Sequence, residues 1–509
     1  MKTNKSKSVL AAVALLVPGL ALAHDGSDGR GDTGAIHNLQ PSLNASGVMA
    51  TYHVNGRIDP RNAFFQPLST NGRSCDTCHK AAEAFSITPP SIRARFERTR
   101  GRDPLFAPVD GANCANAKRG DRAAHSLLLG HGLIRVAQTV PADAEFAISV
   151  VHDPYGCALV SDAKSGETVA SVYRRPLPTT NVSFLSALMW DGRETVAPLN
   201  EGSTHLANLR GNLAHQAMSA IKSHGESDVV PTPKQLQQIV ELQMGLFTAQ
   251  IWDFKAGSLE ARGVGGGASL LGQQVYYPGI NDPLGGEPNG LDFTPFAMSM
   301  FAAWDTPVPA GPVRPRGIDA LLRQRDAARR DIAAGEKLFN SVPLNITAVR
   351  GLNDSASLGK PAVIRGTCTT CHDTPNVGHH SLPLPLDIGV GHTAMPGLES
   401  DASISAALAT LDAPNLPVFE IAGCPTPFSG GQPVSFFTTD PGRALVSGKC
   451  SDLNRLKGPV LRGLAGRAPY FHNGAAATLL QAVSFYDQRF AMNLTSQQKA
   501  QLVAFLNSL

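Results

Sequence analysis

Apolar residues recur at mostly three- and four-residue spacing through Leu236, Ile239, Val240, Leu242, Leu246 and Phe247, which predicts a long helix over residues 233–254. Its Thr232-Pro233 start combines a capping hydroxyl with a proline at the first helical position. Residues 318–339 also read as helical, as do 478–486 and 496–509, while 91–100 alternates apolar and basic residues like a short exposed helix. Residues 146–151 and 168–173 are β-branched and aromatic, and they predict two strands bracketing Cys157. The resulting fold class is mainly α, with long loops and a few short strands.

Three stretches depart from these periods. Lys2, Lys5 and Lys7 precede an apolar run broken by Pro18 and Gly19, which ends in Ala21-Leu22-Ala23; residues 1–23 therefore read as a secretory signal peptide. Residues 24–55 are rich in Gly, Ser, Asp and His and predict a flexible N-terminal arm. The Gly- and Pro-rich stretch 257–289 resists regular structure, yet Tyr276, Tyr277 and Ile280 predict that it lies ordered on the protein. No later segment offers about twenty uninterrupted apolar residues, so the mature chain is expected to be soluble, without a membrane span.

Charged residues make up only 17% of the chain and the net charge is +3, which argues against nucleic acid as a partner. Cysteine usage is far more informative. Four of the eight cysteines fall in two C-x-x-C-H pentapeptides, CDTCH at Cys75, Cys78 and His79, and CTTCH at Cys368, Cys371 and His372. In this motif the thiols add to haem vinyl groups and the histidine becomes the proximal iron ligand. The alternatives are a redox C-x-x-C or half a zinc site. The expected cofactors are two covalent haems c, one in a domain over 56–315 and one in a domain over 316–509. Haem c is attached after export, so signal and motifs together point to a bacterial periplasm. The remaining Cys114, Cys157, Cys424 and Cys450 allow three disulfide pairings, or none. One pair lies in each half, which favours Cys114 with Cys157 and Cys424 with Cys450.

Residues 174–195, RRPLPTTNVSFLSALMWDGRET, and 458–486, with its Pro-Tyr-Phe-His-Asn-Gly turn, resemble segments of the bacterial dihaem cytochrome c peroxidases and their relative MauG, the enzyme that matures methylamine dehydrogenase. With the two motifs, the resemblance spans most of residues 60–490. The chain is longer than the typical peroxidases, chiefly over 100–170 and the Gly-rich stretch. Long relatives include the rubber oxygenases, so the substrate does not follow from the family name.

The resemblance implies that the N-terminal haem meets peroxide and the C-terminal one relays an electron. Resting peroxidases often block the first iron with a histidine soon after the motif. Here none occurs between His79 and His125, which implies an open first haem unless His125 or His131 reaches it. Gln216 and Glu226 have the family's ten-residue spacing for a distal acid–base pair, although they lie further downstream than in short members. His224 stands beside them, and imidazole suits proton transfer near neutrality. Trp190 occupies the inter-haem tryptophan position, and Asp191, Gly192 and Arg193 are expected to form a turn with salt links. At the second haem, Tyr486 falls fourteen residues after His472, where peroxidases place Met and MauG places Tyr. The competing ligands are Met395, Met492, His379, His380 and His392. The family's calcium site would draw on Asn181 and the backbone of 467–469, with Arg175 an obstacle beside it.

The leading expectation is a dihaem peroxidase-type oxidoreductase that reduces hydrogen peroxide, with a small periplasmic cytochrome c or copper protein as electron donor. The second is MauG-like oxidation of a partner protein or an organic substrate. The third is a non-enzymatic electron-transfer cytochrome.

Overall fold

The computed structural model describes residues 36–162, 165–202, 204–306, 316–398, 401–425 and 432–509. The expected signal peptide, the start of the arm and the boundary near residue 315 lie outside them.

Most expected helices form. Pro89–Thr99, Leu479–Arg489 and Ser496–Asn507 are helical, as is the long Arg316–Ser341. Pro233–Met244 opens with a capping box, in which the Gln235 amide donates to Thr232 Oγ1 at 3.3 Å and Thr232 N donates to Gln235 Oε1 at 2.9 Å. The helix stops at Gly245, earlier than its apolar spacing predicts. Leu246–Asp253 is instead a strand paired antiparallel with Gly47–His53. Leu246 and Phe247 fit either period, and Thr248, Ile251 and Trp252 after them are strand formers. That pairing also corrects the N-terminal arm: from Ile36 onward the chain is in strands, with Val48, Met49 and Ala50 buried.

Among the described residues there are five small antiparallel sheets, so the architecture is mixed rather than mainly α. One sheet joins the two halves of the chain. Val418–Pro425 pairs with Pro433–Thr438 on one side and with Ala147–His152 on the other. Beneath it Val136, Phe146 and Val172 share a core with Phe419, Ile421 and Leu453. The two halves therefore share this core.

A second core surrounds the Cys368 motif. The long helix packs across Ser496–Asn507, where Gly335 allows close contact: a Cβ there would lie 2.0 Å from the Gln501 carbonyl oxygen. Phe339 and Phe505 meet at 5.5 Å between ring centroids in this core, each burial contributing about 1.5–3 kcal/mol. The Gly-rich stretch is ordered, as expected: Tyr276 packs edge-on against Phe184 at 5.9 Å, and its hydroxyl donates to the Ser381 carbonyl at 3.3 Å.

Candidate haem centres and their surroundings

The two C-x-x-C-H loops have the same local build. Each opens a single 3-10 turn, Cys75–Thr77 or Cys368–Thr370. The turn is pinned by a threonine hydroxyl that accepts from the amide ahead of the first cysteine: Ser74 N to Thr77 Oγ1 and Thr367 N to Thr370 Oγ1, both 3.0 Å. Each histidine amide then donates to the first cysteine's carbonyl at 3.1 Å. His79 Nδ1 lies 2.9 Å from the Phe85 carbonyl and His372 Nδ1 lies 2.8 Å from that of Gly378, six residues on in both cases. A carbonyl can only accept, so Nδ1 carries the proton and Nε2 is left as the lone-pair nitrogen. Burial lowers both imidazole pKa values, that of His79 to about 4, which keeps the rings neutral as metal ligands must be. The four motif thiols are unpaired, whereas Cys114–Cys157 and Cys424–Cys450 form disulfides with Cα separations of 5.9 and 5.4 Å.

The second loop faces a cavity of about 250 Å³, lined by Cys368, Cys371, His372, Trp190, Tyr486 and Lys457 among mostly apolar side chains. Tyr486 has no hydrogen-bond partner for its phenol among the described residues, and burial pushes that phenol upward. Of the other expected ligands, Met492 and His380 also line the cavity. His392 is bonded to Asp387 at 2.9 Å and His379 packs against Tyr276, while neither these two nor Met395 lines the wall. Lys457 is buried without an ion pair among the described residues, and burial followed by the charge of Arg467 brings it down to about 8. An apolar slot with two thiols, a bare imidazole nitrogen, an unpartnered phenol and an unpaired ammonium fits a haem with its propionates.

The first loop has polar surroundings. Arg73, two residues before Cys75, donates through Nη1 to Asp110 Oδ1 at 2.5 Å and through Nη2 to the Leu105 carbonyl at 2.9 Å. The other Asp110 oxygen holds His224 Nδ1. Burial alone would raise the Asp110 carboxyl, but Arg73 and His224 outweigh it and keep it below the usual range. His224 is half-buried just past the end of the helix His205–Ser223, and after burial its charge is one of the influences that lower the His79 imidazole. The expected pair fares less well. Glu226 is exposed and accepts from Asn71 Nδ2 at 3.1 Å, and Gln216 sits half-buried on the helix with no bond between the two. His125 is fully buried between Phe96 and Phe106, its Nδ1 bonded to the Gly111 carbonyl and its Nε2 without a partner. His131 O accepts from Arg175 at 3.5 Å. No sequence signal marked Asp110 or Arg73.

Trp190 stands at the wall of the second cavity. Its Nε1 donates to the Arg175 carbonyl at 2.8 Å and its ring meets that of His472 edge-on at 6.2 Å. Behind it Asp191 accepts from Arg174, from Arg193 at 2.9 Å and from Gln138 at 2.8 Å, while Arg174 also forks onto Asp440 at 2.7 and 2.8 Å. The turn and salt links expected of Asp191 to Arg193 are in place.

The calcium expectation does not fit these residues. Both side-chain atoms of Asn181 are taken by the Thr248 backbone, at 2.9 and 3.0 Å. The Arg467 carbonyl accepts from Arg175 Nη2 at 3.2 Å, and Arg175 Nη1 also reaches the Gly132 carbonyl at 3.0 Å. A buried guanidinium already fills the carbonyl-lined spot that a cation would need.

No family model matches the chain. Over 78 residues, 14% of this chain, it is 40% identical to the cytochrome-c peroxidase IdrP2 of Denitromonas iodatirespirans, and the aligned stretch spans 21% of that protein. A chain of the hydrazine synthase of Kuenenia stuttgartiensis, solved under xenon pressure, superposes with a TM-score of 0.32 at 13% identity, over 83% of this chain and 93% of that one. The chain is thus similar, over a short stretch, to a cytochrome-c peroxidase. Among the described residues no helix is long and apolar enough to cross a membrane.

Proposed function

We propose that this protein is a periplasmic dihaem c-type oxidoreductase that reduces hydrogen peroxide at the first haem with electrons relayed through the second. The observation that supports this most is the repeated loop, in which two separate C-x-x-C-H segments each present a neutral histidine with Nε2 free. Haem, when bound through Cys75, Cys78, Cys368 and Cys371, supplies the redox chemistry and the peroxide-binding metal. His224, steadied by Asp110, is the group suited to move a proton between the peroxide oxygens, with Glu226 and Gln216 as polar neighbours on the same segment. Trp190, which lines the second cavity, is the proposed electron relay, and a small cytochrome c or copper protein is the proposed donor.

A second reading is favoured by Tyr486. A buried phenol lining the same cavity as His372 suits a tyrosinate ligand, which stabilises ferric and higher states, and it supports MauG-like oxidation of a partner protein or an organic substrate. The test is to add one equivalent of hydrogen peroxide to the diferric protein without reductant and follow its spectrum on the millisecond scale. A long-lived oxidised species supports the second reading. Reaction only after one haem is reduced supports the first, and no reaction in either state leaves a plain electron-transfer cytochrome.

A further inference from the structure

The Gly-rich stretch brings a carboxylate to the back of the second haem-attachment loop. Asn281 ties the two segments together, its Nδ2 donating to the Asp373 carbonyl at 3.0 Å and to the Thr294 carbonyl at 2.9 Å. Gly279 N donates to the Ser381 carbonyl at 3.1 Å, and Thr369 Oγ1 to the Pro295 carbonyl at 2.9 Å. These bonds place Asp282 against Asp373, the residue after His372, and against His380. The three side chains are buried, with 3%, 0% and 4% of their surface exposed. Their candidate ligand atoms all lie within 4.8 Å of one another.

Two carboxylates are thereby buried together with no lysine or arginine paired to either among the described residues. The internal hydrogen bonds do not use up their capacity. Asp282 Oδ2 accepts from Gly286 N at 2.6 Å, but Oδ1 has no partner. Asp373 Oδ1 accepts from Ser381 N at 2.7 Å, and Oδ2 has only a 3.3 Å contact with Ser381 Oγ. His380 Nδ1 accepts from Leu382 N at 3.2 Å, and Nε2 has no hydrogen-bond partner. His380 Nε2 stands 3.8 Å from Asp282 Oδ1, and one ligand atom from each of the three residues falls within 4.8 Å of the others. Two ligands of a tetrahedral zinc, each about 2.1 Å from the ion, stand ~3.4 Å apart.

We propose that Asp282, Asp373 and His380 form a binding site for one divalent transition-metal ion, distinct from both haem irons. A divalent cation neutralises the paired carboxylates and, taking the place of the His380 Nε2 proton, which leaves to solvent, joins that nitrogen to the unpartnered Asp282 oxygen. The imidazole selects a d-block ion such as zinc over magnesium or calcium, which take oxygen ligands. Because His380 also lines the haem cavity, the ion lies beside the second haem, where its charge favours the reduced state. The proposal is independent of what the enzyme oxidises or reduces.

The test uses purified full-length holoprotein, incubated with zinc, desalted and analysed for metals by plasma mass spectrometry, with covalent haem measured in parallel. Wild type is expected to retain one zinc per chain beyond its haem iron, and Asp282→Asn with His380→Gln to retain none at unchanged haem content. Asp282→Asn alone, outside the haem loop, is expected to weaken zinc at least tenfold and to remove the zinc-dependent positive shift of one haem potential. Wild type without additional metal overturns the proposal, as does the same zinc content in the variants.

Discussion

The two C-x-x-C-H loops have matching backbones and unlike surroundings. Around His372 the cavity wall is mostly apolar, and Tyr486 and Lys457 are unpaired polar members of it. Around the Cys75 loop Arg73, Asp110 and His224 are linked to one another, and Glu226 is exposed, bonded to Asn71. Four or five residues of motif determine how a haem is held, and what lies beyond them determines what that haem can do. A centre that must move protons needs titratable groups within reach; one that stores an electron is better kept dry.

Exchanging one group at each centre tests the contrast most strongly. His224→Gln is expected to slow the reaction with peroxide by ~10²–10⁴-fold, the usual size of a general acid–base contribution, whereas Tyr486→Phe alters the spectrum of one haem and leaves that rate nearly unchanged. Stopped-flow spectra of both variants decide it, and equal slowing would erase the division of labour. Asp110→Asn comes next. Breaking a buried pair and leaving Arg73 without its carboxylate costs about 3–5 kcal/mol, read as a lowered denaturant midpoint.

The same carboxylate sets a pH dependence. Its folded pKa is depressed, so its contribution to stability is full above the unfolded value near 4 and is lost as pH falls through the lower folded value. Acid titration of wild type and Asp110→Asn should converge in that window, and parallel curves would remove Asp110 from the account. The smallest effect is expected at Trp190→Phe, which forfeits one hydrogen bond, about 1 kcal/mol, while slowing electron passage between the centres.

Legibility in the sequence followed the range of the interactions. The motif loops, the capped helices and the two disulfides depend on residues near in sequence or on chemistry with a fixed spacing, and all were readable. The strand at Leu246–Asp253 was misread because its partner, Gly47–His53, lies some two hundred residues away and its first residues fit both periods. The same missing partner made the segment around Val48 look like a loose arm. Gln216 and Glu226 were placed by spacing alone, and Glu226 sits on the surface beside Asn71. Asp110, which steadies His224, stands 114 positions before it, and no local pattern connects the two.

The sheet shared by the two halves also constrains the order of assembly. Ala147–His152 pairs with Val418–Pro425, so a chain made from its N-terminus carries the earlier strand as an open edge while some 270 further residues are added. The loop of Cys75 and Cys78 precedes that strand, and its own hydrogen bonds join residues 74–85. The final sheet therefore closes only after both C-x-x-C-H motifs have been made.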